Sequence, residues 1–96
     1  MGEYRLSVLA EQDLDDILDY TWEAHGERQA QSYADDIKTH LTMLADNPKL
    51  AAERSEFDPP VRLYPSGKHI IAYLDQGNHI WVVRLLHQRM DIRRYL

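Results

Sequence analysis

Ninety-six residues leave room for one core and a single domain, residues 1–96, since domains typically run roughly 100–150 residues. Eleven Lys and Arg against 16 Asp and Glu give a net charge of −5, which argues against a general nucleic-acid coat or arm; 44% hydrophobic and 28% charged residues mark a globular chain rather than a disordered one. The chain has no cysteine, so a disulfide framework, a thiolate–metal site and a cysteine nucleophile are excluded and a reducing cytosol is expected; no apolar run approaches the roughly 20 residues of a membrane span, and MGEYRLSVLAEQDLDD lacks the pattern of a secretion signal.

In chain order, EYRLS (3–7) alternates and predicts a short strand with Tyr4 and Leu6 on one side. Ser7 is the candidate N-cap of a helix starting near Val8. Ala10, Leu14, Ile17, Leu18 and Trp22 follow at helical spacing and define its apolar stripe. Gly26 is placed to end this helix. A second stripe follows at once, through Ala30, Tyr33, Ala34, Ile37, Leu41 and Leu44, and Asn47-Pro48 stops it. Two amphipathic helices joined by one glycine should pack as an antiparallel hairpin, with Leu14, Ile17, Leu18, Tyr33, Ile37, Leu41 and Leu44 as core. KLAAERSEFDPP (49–60) has no clean period and reads as a connecting loop. Then come three strands: Val61 to Tyr64, Ile70 to Leu74, and Ile80 to Leu86, with turns at Pro65-Ser66-Gly67 and Asp75-Gln76-Gly77-Asn78. The expected fold class is α+β, in the order β-α-α-β-β-β, with the helical hairpin on one face of an antiparallel meander.

Charge and hydrophobicity are both uneven along this order. Residues 1–52 carry four basic and eleven acidic side chains, a net of −7, whereas residues 53–96 carry seven and five, a net of +2. Arg84, Arg89, Arg93 and Arg94 crowd the C-terminal end. The last strand does not alternate apolar with polar: Ile80, Val82 and Leu86 point one way, Trp81, Val83 and Leu85 the other. A hairpin can cover only one face of a sheet, so a partner chain, or else the 49–60 loop or the C-terminal tail, must shield the second.

Chemistry is sparsely signalled. The four glycines (Gly2, Gly26, Gly67, Gly77) form no phosphate loop, and the five histidines (His25, His40, His69, His79, His87) show no metal-ligand spacing; no cofactor or metal is expected. Asp15-Asp16 and Asp35-Asp36 are helical neighbours and point about 100° apart, so neither makes an acid–base pair. One cluster could act on a phosphate: Arg84, His87 and Arg89 at the end of the last strand, with Arg62 and His69 approaching from adjacent strands. Arginines can stabilise a scissile phosphate and a histidine can move the proton. The same residues can equally be packed, capping, or bound to a carboxylate-bearing partner.

YRLSVLAEQDLDDI, HGERQAQSY with the later Leu41 and Pro48, SGKHIIAY and above all VVRLLHQRMD resemble the ParE toxins of the ParE/RelE toxin superfamily, over nearly the whole chain and in the same order. Two features depart from many relatives: His25 stands before the interhelical glycine where they have an aromatic residue, and Lys49-Leu50-Ala51 follows Pro48 where they have a glycine. The resemblance implies the β-α-α-β-β-β fold and a partner, a ParD-like antitoxin with a ribbon-helix-helix DNA-binding N-terminal part and a flexible C-terminal arm lying in the toxin's apolar groove. DNA would then be met only through that complex. It implies DNA gyrase as the target and no enzymatic activity. The related branch that looks like RelE and YoeB cleaves mRNA on the ribosome and is generally much more basic; this chain has Arg84, His87 and Tyr95 but lacks a lysine-rich surface. A third reading is a non-toxic module that only binds antitoxin. The residues expected to meet target or antitoxin are Arg62, His69, Tyr73, Trp81, Arg84, His87, Arg89, Asp91, Arg93 and Arg94, the arginines through bidentate pairing with an acidic segment.

Overall fold

The computed structural model describes residues 2–96. Its elements run β1 (Glu3–Leu6), α1 (Val8–His25), α2 (Glu27–Asp46), β2 (Glu53–Arg54), β3 (Val61–Ser66), β4 (His69–Asp75), β5 (His79–His87) and a final 3-10 turn, Ile92–Arg94. The five strands form one sheet in the order β1-β5-β4-β3-β2, with the helical hairpin against one face. This is the α+β layer that the sequence order implies.

Ser7 starts α1 and fixes it to the sheet. Its Oγ accepts from Ala10 N at 2.9 Å, and its hydroxyl donates to the Val83 carbonyl at 2.7 Å. The expected apolar stripe is displaced by one residue. Ala10, Ile17 and Thr21 are buried while Trp22 is 53% exposed. Spacings of seven and four residues keep the first three in one line, whereas Trp22 sits 100° round from Thr21. Thr21 can be buried because its hydroxyl donates to the Ile17 carbonyl at 2.7 Å.

Gly26 makes the whole connection between the helices. Its N–H donates to Trp22 O at 2.8 Å and its carbonyl accepts from Ala30 N at 3.1 Å, so one residue closes α1 and opens α2. Its φ of 90° and ψ of 171° lie in a region essentially reserved for glycine.

The sheet differs from expectation in four places. β3 runs on through Pro65 and Ser66, which pair with Ile70 and His69, so the expected turn at 65–67 is confined to Gly67 and Lys68. β1 runs parallel to β5, Glu3 to Leu6 beside His79 to Val82, so the sheet is mixed rather than wholly antiparallel. The 49–60 segment contributes a two-residue strand, β2, paired with Arg62 and Val61 of β3. Arg62 holds that segment in place, its Nη1 donating to the Ala51 carbonyl at 2.6 Å. Finally, β5 carries a bulge. Ala72 pairs with Arg84 and Tyr73 with Val82, leaving Val83 unmatched. A bulge resets the alternation, so Leu85, not Leu86, shares the helix-facing side with Ile80 and Val82 and joins them in the core.

That core also takes Ala10, Ile17, Ile37, Leu41, Leu44, Ala45, Ile71 and Tyr73. Leu14, Leu18 and Tyr33, expected as plain core, are half-buried. On the opposite face the pleat places Val61, Ile70, Ala72, Leu74, Trp81 and Leu86. The chain covers much of this face by itself: Ala72 is 0% and Leu86 1% exposed, and Trp81, at 37%, is its one large apolar side chain left exposed among the described residues. Most of the apolar surface that remains open lies instead on α1, at Val8, Leu9, Tyr20 and Trp22. Among the described residues no helix is long and apolar enough to cross a membrane.

Candidate functional site

The sheet is longer than the hairpin covers. Beyond Ile71 and Leu85, the helix-facing positions of β4 and β5 are His69 and His87, which pair directly. Here the apolar core gives way to polar groups, and a cleft of about 720 Å³ opens between the two layers. Ile17, Tyr20, Thr21 and His25 of α1 and Gln29 and Tyr33 of α2 form one wall, with Asp16 at the edge. Lys68, His69, His87, Gln88 and Arg89 form the other. The volume falls within the roughly 300–1,000 Å³ of small-molecule sites.

Tyr33 organises the sheet side of the cleft. Its hydroxyl oxygen lies 2.6 Å from His69 Nδ1, 3.2 Å from the Ser66 carbonyl and 3.0 Å from the Lys68 N–H. One arrangement satisfies all of them: the hydroxyl donates to Ser66 O and accepts from both Lys68 N–H and His69 Nδ1–H. His69 Nε2 is then left as a lone-pair acceptor. Burial and the neighbouring His87 ring push the His69 pKa down from 6.5 to about 4, so the ring is neutral at pH 7. Burial also raises the Tyr33 pKa, which keeps the hydroxyl protonated. Gly67 is required beneath this cluster: its φ is 61°, and a Cβ there would lie 2.7 Å from the Tyr33 ring. Ser66 is fixed from the other side, its Oγ 2.6 Å from His40 Nδ1.

His87 stands edge-on to His69, with ring centroids 5.2 Å apart. Its Nδ1 accepts the Arg89 N–H at 3.1 Å, which places the proton of the neutral ring on Nε2. The two histidines thus present unlike nitrogens, an acceptor beside a donor. Among the described residues every buried side-chain nitrogen or oxygen has a hydrogen-bond partner. Neither Nε2 has one, so both reach solvent.

The remaining predicted site residues disperse. Arg84 faces away from His87 by strand alternation and is bound to Asp13, Nε–Oδ2 at 2.8 Å and Nη2–Oδ1 at 2.9 Å. Asp13 Oδ2 also accepts the Leu85 N–H at 3.0 Å, and the Asp13 side-chain hydrogen bond pushes the Arg84 guanidinium further above its ordinary pKa. Its charge is spent inside the fold, with the Tyr95 ring 5.7 Å away. Arg62 belongs to the far end of β3, opposite Tyr73, and bonds Ala51 and Glu53; it does not approach His69. Tyr73 is fully buried and its hydroxyl donates to the Pro48 carbonyl at 2.7 Å, so it is a core residue rather than a contact surface. Trp81 lies on the second face. Asp91 accepts from the Arg93 N–H at 3.3 Å and caps the final turn. Arg89, Arg93 and Arg94 are exposed, and none makes an ion pair among the described residues.

Sequence reasoning missed Tyr33, Lys68 and Tyr20 as cleft residues and Asp13 as the partner of Arg84. Asp13 did carry a signal. It lies three residues after Ala10 and four before Ile17, on the buried line of α1, where a carboxylate needs a cation. Among the described residues no group of three or more His, Cys, Asp or Glu side chains could hold a metal ion.

The family described as "ParE toxin of type II toxin-antitoxin system, parDE" matches residues 4–92. Toxin ParE1 of Caulobacter vibrioides is 34% identical over 96 residues, covering 100% of this chain and 99% of that protein. Toxin ParE1 of Mycobacterium tuberculosis is 36% identical over 96 residues, covering 99% and 98%. Among solved structures, "Chromosomal ParDE TA system from P. aeruginosa" superposes with a TM-score of 0.76 at 22% identity, covering 91% of this chain and 96% of that one; that likeness is one of fold.

Proposed function

Because this chain belongs to the ParE toxin family of type II toxin–antitoxin systems, we propose that it arrests growth by binding DNA gyrase, without chemistry of its own, and that a ParD-like antitoxin neutralises it by direct contact. The observation that carries this is the match at 34% and 36% identity over nearly the whole length of the relatives. The dispersal of Arg84 supports the non-enzymatic reading: its guanidinium is tied to Asp13 and is not available to a phosphate. Arg89, Arg93 and Arg94 are the proposed partner contacts, since all three are exposed and their guanidinium groups suit bidentate capture of carboxylates. The site of action would be the bacterial cytoplasm.

Purified gyrase tests the target. The free protein should inhibit supercoiling or trap a cleaved DNA complex; unaltered supercoiling with no trapped complex refutes gyrase as the target. Removing residues 89–96 should weaken toxicity, antitoxin binding or both. Growth arrest on expression without antitoxin separates a toxin from a non-toxic antitoxin-binding module. The pairing of His69 with His87 favours one second reading, a ribosome-dependent mRNA endonuclease; mRNA cleavage in a translation extract, abolished by His87→Ala, would establish it in place of the first.

A further inference from the structure

We propose that the cleft between the helical hairpin and the His69–His87 end of the sheet is a binding site for a nucleoside monophosphate, held by its phosphate on the sheet wall and by its base on Tyr20. The proposal is independent of the target of the toxin, and stands or falls whether or not gyrase is inhibited.

The charges divide the cleft. On the sheet wall, Lys68 and Arg89 line the cavity, and neither is paired with a carboxylate among the described residues. His87 adds an Nε2–H donor beside them, its Nδ1 being engaged by the Arg89 backbone. Three donors on one wall suit the oxygens of a phosphate. The one carboxylate lining the cavity, Asp16, is on the helix wall and would repel a phosphate placed there. An anion therefore has one orientation in the cleft.

The helix wall offers what a base needs. Tyr20 is 69% exposed although it lines the cavity, and Ile17 and Thr21 beside it are buried. An exposed aromatic ring beside buried side chains is a stacking platform for a base. On the sheet wall, His69 Nε2 is an acceptor that Tyr33 orients from the far side of the ring. A sugar hydroxyl or an exocyclic amine of the ligand supplies the donor that it lacks. Phosphate donors and one acceptor on the sheet wall, with an exposed aromatic ring on the helix wall, make up the recognition pattern of a nucleotide. Inorganic phosphate would leave the Tyr20 wall unused, and a nucleoside would leave Lys68 and Arg89 unused.

Titrating the intact protein with AMP, UMP, adenosine and inorganic phosphate at low salt, followed by amide and histidine-ring NMR, tests the site. AMP or UMP should give saturable shifts at Tyr20, Lys68, His69, His87 and Arg89, with none at Asp35, Thr39 or Thr42 on the far side of α2. Phosphate and adenosine should each bind at least about tenfold more weakly. Arg89→Ala and Tyr20→Ala, both at exposed positions where the fold is under little threat, should each weaken AMP at least about fivefold. Three results overturn the proposal: no saturable shift at these residues up to about 10 mM nucleotide, phosphate binding as tightly as AMP, or AMP affinity unchanged in Tyr20→Ala.

Discussion

The two ends of the hairpin–sheet interface are built from different materials. At the end where α2 finishes, Leu41, Leu44 and Ala45 meet Tyr73, Ile80 and Val82 and almost nothing is exposed. Even Gly2 is close-fitted there, its N–H donating to Asp46 Oδ1 at 3.0 Å and no room left for a Cβ beside the Ala45 carbonyl. At the other end the same two layers are held apart by Tyr33, His40, Ser66, His69 and His87, joined by hydrogen bonds and edge-on rings. The difference teaches a division of labour. Apolar packing stabilises in proportion to the area it removes from water, and is indifferent to direction. Hydrogen-bonded rings contribute less, but they fix where each nitrogen points, which is what a binding surface needs.

The comparison makes ranked predictions. Leu41→Ala, at a position 0% exposed, should cost about 2–5 kcal/mol in chemical denaturation, a large part of the roughly 5–15 kcal/mol available to a domain. Asp13→Ala cuts the strut midway between the ends. It leaves Arg84 and the Leu85 N–H without partners, and about 2–4 kcal/mol should be lost. Arg84→Met in the same background should recover part of that loss, since it removes the stranded charge. At the polar end, Tyr33→Phe should cost only about 1–2 kcal/mol, because the rim groups it abandons can turn to water. If Tyr33→Phe matched Leu41→Ala, the polar end would be bearing load and the comparison would fail.

The last effect is one of pH. His69 has a folded pKa near 4 against 6.5 ordinarily, so the unfolded chain binds its proton first. Its contribution to stability is complete above pH 6.5 and is lost as pH falls toward 4. The groups acting on the ring are His87, Asp13 and Tyr33. His69→Gln should flatten the fall in urea midpoint between pH 6.5 and 5, above the range of most carboxylates. An equal slope in both proteins would show that His69 does not set it.

How much of this could be read from the sequence depends on the range of the interaction. The hairpin was legible because Ser7, Gly26 and Asn47-Pro48 punctuate it locally and its apolar residues recur at helical spacing. The three long strands were legible for the same reason. The parallel pairing of β1 with β5 was not, since it joins residues 76 positions apart and no local pattern encodes it. The bulge at Val83 was hidden too: a run of apolar residues looks the same in either register, and only the partner strand reveals that Leu85 turns inward. At the site, His69, His87 and Arg89 were identified by their types and their place at strand ends. Tyr33 was assigned to the core because its spacing fits the stripe; its hydroxyl acquires a role only once β3 and β4 bring Ser66, Lys68 and His69 to it.

The pairing of β1 with β5 also sets a clock. β1 must wait for β5, because Glu3 to Leu6 align with His79 to Val82. At roughly 5–20 residues per second of synthesis, about 4–15 seconds separate the two on the ribosome. The helical hairpin can form within that interval, its contacts being local, but the sheet edge cannot close and the His69–His87 pair does not exist until β5 has emerged. A nascent chain is therefore without its finished sheet and its His69–His87 pair until β5 has been made.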